Sequence, residues 1–184
     1  MNELITLSSP VFSEYLEREL RSDHAGETGA VYIYKGMIAV AKLRKDTELI
    51  KFAKNHLDTE VEHLKLIESI LEPKHLSCLL IAWRIAGWLT GALPTLFGQQ
   101  SAYATIASVE TFVEQHYQQQ IDYLQENGGP DGLLDLLLRC QADEIHHKNE
   151  AKSLGPTTLP LALRIWCFLV GNGSAAAVVL ARKL

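Results

Sequence analysis

Four glutamates and two histidines stand out by spacing alone. Glu60 and His63 lie three apart, as do Glu144 and His147, and residues three apart on a helix share a face. Each pair can therefore aim a carboxylate and an imidazole at one point. A single glutamate precedes each pair, Glu27 by 33 positions before Glu60 and Glu110 by 34 before Glu144. A shift of 83 positions for the single glutamates and 84 for the pairs superposes the two sets, the pattern a duplicated helical hairpin leaves. Four carboxylates balance two divalent cations, so such a cluster can be buried without an uncompensated interior charge. Carboxylate and imidazole donors suit iron or manganese, whereas Cu(I) and iron–sulfur clusters favour thiolates.

Other chemistry-bearing residues compete for the site. Glu72 and His75 form a third Glu-x-x-His, but Pro73 inside it should end the helix, and the pair is discarded. His24, three before Glu27, and His146, three after Asp143, are expected to stand beside the ligands or on the surface, because the repeat gives His24 no counterpart. His56, four before Glu60, is expected to be a partly exposed polar residue. His116, six after Glu110, points less favourably. Asp23, Asp58 and Asp143 could hold ligand imidazoles by their far nitrogens. Gly26 and Gly29 flank Glu27 at a cost of about 1 kcal/mol each relative to Ala in a helix. A close helix contact, room for a substrate or a local kink would explain them.

The elements that must position these residues follow from the punctuation. Ser9-Pro10 reads as a helix start running to about Arg44. Asp46 can cap a second helix that stops before Pro73. A third segment spans about Leu76 to Phe97, a fourth Gln99 to Glu126, a fifth runs from Pro130 to Gly155-Pro156, and the last begins near Leu159. No stretch alternates with the period of a half-buried strand, so an all-α protein is expected. Short connections favour antiparallel neighbours, and a single domain over residues 1–184 fits the length. One Glu from each of two helices and Glu-x-x-His from each of two others is the ligand set of ferritin-like four-helix bundles.

Two segments lie outside that set of four. Leu76–Phe97 carries one charge, Arg84, and Ile165–Ala181 carries none. Core helices, membrane spans and helices lying in the membrane interface are the alternatives. The interface, or the wall of a lipid-sized channel, is the expectation, since Arg84 opposes a span and Trp83, Trp88 and Trp166 suit headgroup depth. Gly87 and Gly91, four apart, could form part of a passage wall.

A net charge of −5 excludes nucleic acid as an expected partner. The three cysteines, Cys78, Cys140 and Cys167, show no metal or disulfide spacing and read as small hydrophobes in a reducing compartment. The opening residues lack the features of a signal or transit peptide, so a cytoplasmic chain is expected, or a processed organellar one.

With these residues in view, the chain resembles the demethoxyubiquinone hydroxylases, the COQ7 family of ubiquinone biosynthesis. The likeness lies in Asp23-His24-Ala25-Gly26-Glu27, in Glu60-Val61-Glu62-His63-Leu64, in Val109-Glu110 with His116-Tyr117, and in Asp143-Glu144-Ile145-His146-His147. It covers nearly everything from about Leu20 onward. The resemblance implies a di-iron monooxygenase in which Glu27, Glu60 and His63 bind one iron and Glu110, Glu144 and His147 the other, with Glu60 and Glu144 bridging. It makes His116 a supporting histidine beside the site. It also implies O2 and a polyprenylated quinol as substrates and attachment to the cytoplasmic face of a membrane or to an inner organellar membrane. An electron donor or other ubiquinone-biosynthesis proteins would be partners. The chain departs from the family pattern at His146, where a glutamate would stand, and at Val113-Glu114-Gln115. A ferritin- or rubrerythrin-like iron oxidase or peroxide scavenger would use the same six ligands and is the alternative.

Overall fold

Six helices account for nearly all of the computed structural model, which describes residues 12–184. They are α1 (Glu14–Leu43), α2 (Thr47–Ile70), α3 (Leu80–Leu96), α4 (Gln99–Asn127), α5 (Leu133–Leu154) and α6 (Leu161–Ala181), with a 3-10 turn at Pro73–His75. Among the described residues there is no strand, as the periodicity implied. The Ser9-Pro10 start lies outside the described residues. The cap of α1 is Ser13, whose hydroxyl accepts the Leu16 N–H at 3.3 Å, while Glu14 and Glu17 complement the helix dipole in the first turn. Asp46 caps α2 as expected, accepting from the Leu49 N–H at 3.1 Å. Glu72, before Pro73, is extended, so Glu72 and His75 leave the helical face on which a ligand pair must sit.

The hairpins α1/α2 and α4/α5 pack into the four-helix bundle, the ferritin-like arrangement the ligand spacing requires. Two apolar cores occupy opposite ends. One is built from Tyr34, Met37, Leu49, Phe52, Tyr103 and Ile106. The other contains Leu20, Ile67, Tyr117, Ile121, Leu133 and Leu137. In every bundle helix the glutamates and histidines of the repeat fall between these two sets. The polar layer is therefore clamped between two greasy ends, whose burial supplies the stabilisation needed to hold charged groups away from water.

Helices α3 and α6 lie outside this bundle, α3 along α1 and α6 over α4 and α1. The approach of α3 to α1 depends on glycine. A Cβ on Gly87 would collide with the Gly29 carbonyl, one on Gly91 with the Ile33 carbonyl, and one on Gly36 with the Trp88 carbonyl. Gly91 is thus a packing residue, which corrects its expected place on a passage wall. The outward faces of the two helices are apolar. Ile81, Ile85, Leu93 and Leu96 on α3 and Leu161, Ile165 and Phe168 on α6 are exposed. By length and composition α6 alone among the described helices could cross a membrane, with a mean hydropathy of 1.6 and none of that window buried.

The tryptophans do not all share that outer face. Trp83 donates to the Ser77 hydroxyl at 3.0 Å and Trp166 to the Thr105 hydroxyl at 2.9 Å, so both are tied inward, and only Trp88 is exposed. Indole N–H groups seek a partner when partly buried, and here the protein supplies one. Cys140 is buried, Cys167 half-buried and Cys78 exposed, all three as free thiols. Cys78, read from the sequence as a small hydrophobe, is thus the one of the three that faces solvent.

Candidate metal centre

The fold brings all six repeat residues together. Donor atoms of Glu27, Glu60, His63 and Glu144 lie within 4.8 Å of one another, as do those of Glu60, Glu110, Glu144 and His147. Glu60 and Glu144 belong to both groups. None of the six is more than 4% exposed. Glu60 and Glu144 are the glutamates whose helices, α2 and α5, also carry the histidines, which is why they fall at the centre of the cluster.

Both imidazoles turn Nδ1 inward. His63 Nδ1 is 3.1 Å from Glu144 Oε1, and His147 Nδ1 is 3.1 Å from Glu60 Oε1. His63 is fixed from behind by Asp143, whose Oδ2 accepts from Nε2 at 3.1 Å. Asp143 therefore does for His63 what the sequence suggested, whereas Asp58 is exposed. The other expected support, Asp23, is engaged elsewhere. Its Oδ1 meets His116 Nε2 at 2.9 Å and accepts from Gln120 at 2.8 Å, and Ser22 Oγ lies 3.1 Å from the same His116 nitrogen. Asp23 holds His116 rather than a cluster imidazole, and His116 stands beside the cluster, buried at 7% exposure.

Two expectations about histidines are corrected. His56 is buried, not partly exposed, with Nε2 2.8 Å from Glu150 Oε2 and its ring edge-to-face against His147, centroids 4.1 Å apart. The cause is its place one turn before Glu60 on the inward face of α2. His24 is also buried, but it faces Glu68 at 3.5 Å rather than the cluster or the surface. His146 is exposed, as one of its two expected places allowed.

Sequence reasoning missed two tyrosines. The Tyr117 hydroxyl donates to Glu27 Oε1 at 2.5 Å and the Tyr34 hydroxyl to Glu110 Oε1 at 3.1 Å. Each crosses between α1 and α4 to hold the other helix's single glutamate. A signal existed: Tyr34 is seven after Glu27 and Tyr117 seven after Glu110, so the repeat that relates the glutamates relates the tyrosines too.

Crowding of charge sets the protonation of the cluster. Burial, reinforced by the Glu144 charge, raises Glu27 to about 7. Glu60 and Glu110 are pushed well above the usual carboxylate range, first by burial and then by Glu144. Burial would raise Glu144 as well, but the His147 and His63 imidazoles beside it outweigh that and hold it down at about 2. Burial lowers His63, yet its hydrogen bond with Glu144 and the nearby carboxylates prevail and carry it to about 10. His56, by contrast, is pushed down to about 3 by burial and by its neighbours His147 and His146. A neutral His56 then donates its Nε2–H to Glu150.

The donor set fits a pair of cations. Glu27 Oε2, Glu60 Oε1, Glu144 Oε2 and His147 Nδ1 are all buried without a hydrogen-bond partner. Buried polar atoms ordinarily find partners, and these orphans, spread over the two donor groups that share Glu60 and Glu144, are what metal-ligating side chains leave open. A carboxylate behind the far nitrogen, as Asp143 supplies for His63, is the usual companion of a metal-ligating imidazole.

A cavity of about 540 Å³ adjoins the cluster. Glu27, Glu60, Glu110 and Glu144 lie at its inner end, and Trp83, Gly87, Trp166 and Leu180 are among its apolar walls on α3 and α6. Gly26 and Gly29 also line it, and a Cβ at either would meet nothing within 4 Å. Of the three explanations for these glycines, free space beside Glu27 is the one the side-chain positions support, while the Gly29 backbone also receives Gly87.

An all-helical bundle with four buried carboxylates and two imidazoles in one layer is the architecture of the ferritin-like carboxylate proteins. Comparison with known proteins narrows this. The family described as "Ubiquinone biosynthesis protein COQ7" matches residues 14–181, and the chain belongs to it. The "NADPH-dependent 3-demethoxyubiquinone 3-hydroxylase, mitochondrial" of Dictyostelium discoideum is 32% identical over 137 residues, covering 73% of this chain and 62% of that protein. The Caenorhabditis elegans protein of the same name is 28% identical over 173 residues, 92% of this chain and 90% of its own. The "3-demethoxyubiquinol 3-hydroxylase" of Rhodospirillum rubrum is 29% identical over 148 residues, 79% of this chain and 68% of that one. The match thus spans less than two thirds of the Dictyostelium relative and nearly all of the nematode one.

Proposed function

We propose that the chain is a di-iron monooxygenase that hydroxylates the ring of a polyprenylated demethoxyubiquinol with O2, acting at a membrane surface. The observation that carries this reading is the cavity joining the four cluster glutamates to the two apolar helices. An aromatic ring can sit beside the cluster, and an isoprenoid tail can leave between Trp83, Gly87, Trp166 and Leu180. Family membership and the names of the relatives support the same activity.

Glu27, Glu60 and His63 would hold one iron and Glu110, Glu144 and His147 the other, with Glu60 and Glu144 shared. Divalent iron held by these residues would supply the electrons and the coordination that O2 activation requires. The chain's own residues perform the rest. Tyr117 and Tyr34 fix one oxygen of Glu27 and of Glu110, leaving the other free to face the centre. Asp143 keeps the proton of His63 on Nε2 and its lone pair on Nδ1. Asp23, Gln120 and Ser22 hold His116 at the cavity wall. The alanine, glycine and valine lining keeps bulk water from the ring and from the reactive centre. The exposed apolar faces of α3 and α6 supply the attachment, laid into the headgroup boundary where the tail would emerge.

The test uses anaerobically iron-loaded protein, a reductant, O2 and a short-tailed demethoxyubiquinol, with the hydroxylated ring quantified by mass spectrometry. Product in the parent chain and its loss in Gly29→Leu at unchanged iron content are the expected results. Iron-dependent O2 or peroxide consumption with no quinol product, or continued iron mineralisation, would instead assign the chain to the ferritin-like oxidases.

A further inference from the structure

The two helices outside the bundle carry the same short pattern. On α3 it is Ile81, Arg84, Ile85 and Trp88, and on α6 it is Leu161, Arg164, Ile165 and Phe168. Each reads apolar, arginine, isoleucine, aromatic, at spacings of three, one and three that put all four on one side of a helix. All eight residues are exposed. Each stripe is therefore an apolar surface with one cation set into it.

The fold gives these arginines no internal task. The lysine and arginine ion pairs are Arg18–Glu14, Arg21–Glu17, Lys74–Glu72, Lys148–Glu114 and Arg182–Glu19. Arg84 and Arg164 thus have no carboxylate partner among the described residues. Both stand near the start of their helices, where the macrodipole does not favour a cation. Lys35 of α1 is also exposed and unpaired, and it joins Arg84 in one patch. Its Nζ lies 4.5 Å from the centroid of the Tyr32 ring, and the Arg84 guanidinium carbon lies 5.7 Å from the same centroid. The surrounding charge is one-sided. No Asp or Glu stands between Glu72 and Glu110 or after Glu150, although the whole chain has a net charge of −5. Those two stretches contain α3 and α6, and their only Lys and Arg are Lys74, Arg84, Lys152, Arg164, Arg182 and Lys183.

We infer that the α3/α6 face is built for an anionic bilayer, with Arg84 beside Lys35, and separately Arg164, each holding a lipid phosphate. This rests on the reading of that face as the membrane attachment and adds the kind of lipid it selects. The isoleucines and aromatic side chains of the two stripes enter the acyl boundary, where Trp88 suits headgroup depth. An arginine lays its stem along such a surface and keeps its head at the phosphates, which its planar fork can grip with two hydrogen bonds. The lack of acids on α3 and α6 removes the repulsion that a negative surface would otherwise exert on them. A chain of net negative charge then binds a negative membrane by one face only, which fixes how the cavity between α3 and α6 meets the lipid.

Co-sedimentation of the full-length chain with two kinds of vesicle tests this, one of phosphatidylcholine alone and one with about one-third phosphatidylglycerol. The parent should partition roughly tenfold or more in favour of the anionic vesicles at low salt, and the preference should shrink as salt screens it. Arg84→Gln/Arg164→Gln should lose most of that preference, about fivefold for each cation removed, while binding neutral vesicles as the parent does. Arg84→Lys/Arg164→Lys should keep most of it. Lys54→Gln/Lys65→Gln removes the same charge from α2 and should bind like the parent. All four positions are exposed, so folding is not at issue. Equal partition of the parent into both vesicles, or an equal loss in the α2 variant, overturns the proposal. A parent chain that sediments with neither kind overturns the underlying reading of α3 and α6 as the membrane face instead.

Discussion

The two halves of the metal layer share one plan but differ in what surrounds them. In the α1/α2 half, Glu27 takes a hydrogen bond from Tyr117, and His63 is braced by Asp143. In the α4/α5 half, Glu110 takes its bond from Tyr34, and His147 is backed by the ring of His56. Superposing the repeat explains the difference. Asp143 precedes Glu144, whereas Thr59 precedes Glu60, so the repeat keeps the candidate ligands and the tyrosines but places a carboxylate brace behind His63 alone. The candidate donor set, one Glu plus a Glu-x-x-His pair, is the same in both halves. The supports differ: a carboxylate behind His63 and an imidazole ring packed against His147.

The comparison breaks most completely at the residues both halves share. Glu60→Ala or Glu144→Ala removes a donor from both groups at once and should abolish most metal binding. Glu72→Ala and His75→Ala, on the Pro73 turn, should leave the metal content alone. In differential scanning calorimetry the parent should gain about 2.7 kcal/mol of stability at a hundredfold excess of metal over its dissociation constant, and the shared-ligand variants should gain almost nothing.

The next effect sharpens the asymmetry. Asp143→Asn should weaken metal binding in the α1/α2 half by roughly 10- to 100-fold, as loss of a brace behind a ligand histidine does. The content of the α4/α5 half should change little. Competition titration with a chelator, resolving two binding steps, reads this directly, and equal weakening of both steps would refute the assignment of Asp143 to His63 alone.

A pH profile of the metal-free chain tests the electrostatics. Glu27, raised to about 7 from an ordinary 4.5, contributes stability that is complete below 4.5 and lost as the pH climbs through about 7. Glu60 and Glu110, raised further, extend the loss upward. His63, raised to about 10, keeps its contribution below 6.5 and loses it only toward 10. Glu144, held at about 2, acts in the opposite sense and loses its contribution only as the pH falls toward 2. The urea midpoint of the metal-free chain should therefore fall between pH 4.5 and 7 and continue to fall above it. Metal displaces these protons, so the loaded chain should show a flatter profile and release protons on filling.

The smallest effects distinguish two kinds of glycine. Gly91→Leu should cost about 1–3 kcal/mol or more by forcing α3 away from the Ile33 carbonyl. Gly26→Ala, which points into open space, should leave stability within about 1 kcal/mol of the parent or raise it, because Ala is the better helix former. Thermal midpoints of the two variants check the contrast.

Much of this was legible in the sequence because the information is local. Spacing of three along a helix places Glu60 with His63 and Glu144 with His147, and a shift of 83 or 84 positions reveals the duplication. Punctuation by Asp46, Pro73 and Gly155 bounds the helices. What failed depended on which neighbour a residue meets across a gap. His56 reads as a partly exposed polar residue on the site side, and Glu150 and His147 close over it. Trp83 and Trp166 have the composition of membrane anchors, yet Ser77 and Thr105 offer their indoles partners inside. Gly91 and Gly26 look equivalent in sequence, and only the position of α3 against α1 separates a contact from a void. Asp23 is taken by His116 and Gln120 on α4 and so is not the brace of His63.

The central claim is that six side chains on four helices hold a pair of iron ions. Iron per chain after anaerobic reconstitution and desalting, measured by plasma mass spectrometry on the parent and on Glu60→Ala, tests it most directly. The account predicts two ions in the parent, one for each donor group, and less than one in the variant. A parent that saturates with no iron, or a Glu60→Ala chain that retains both ions, would contradict it.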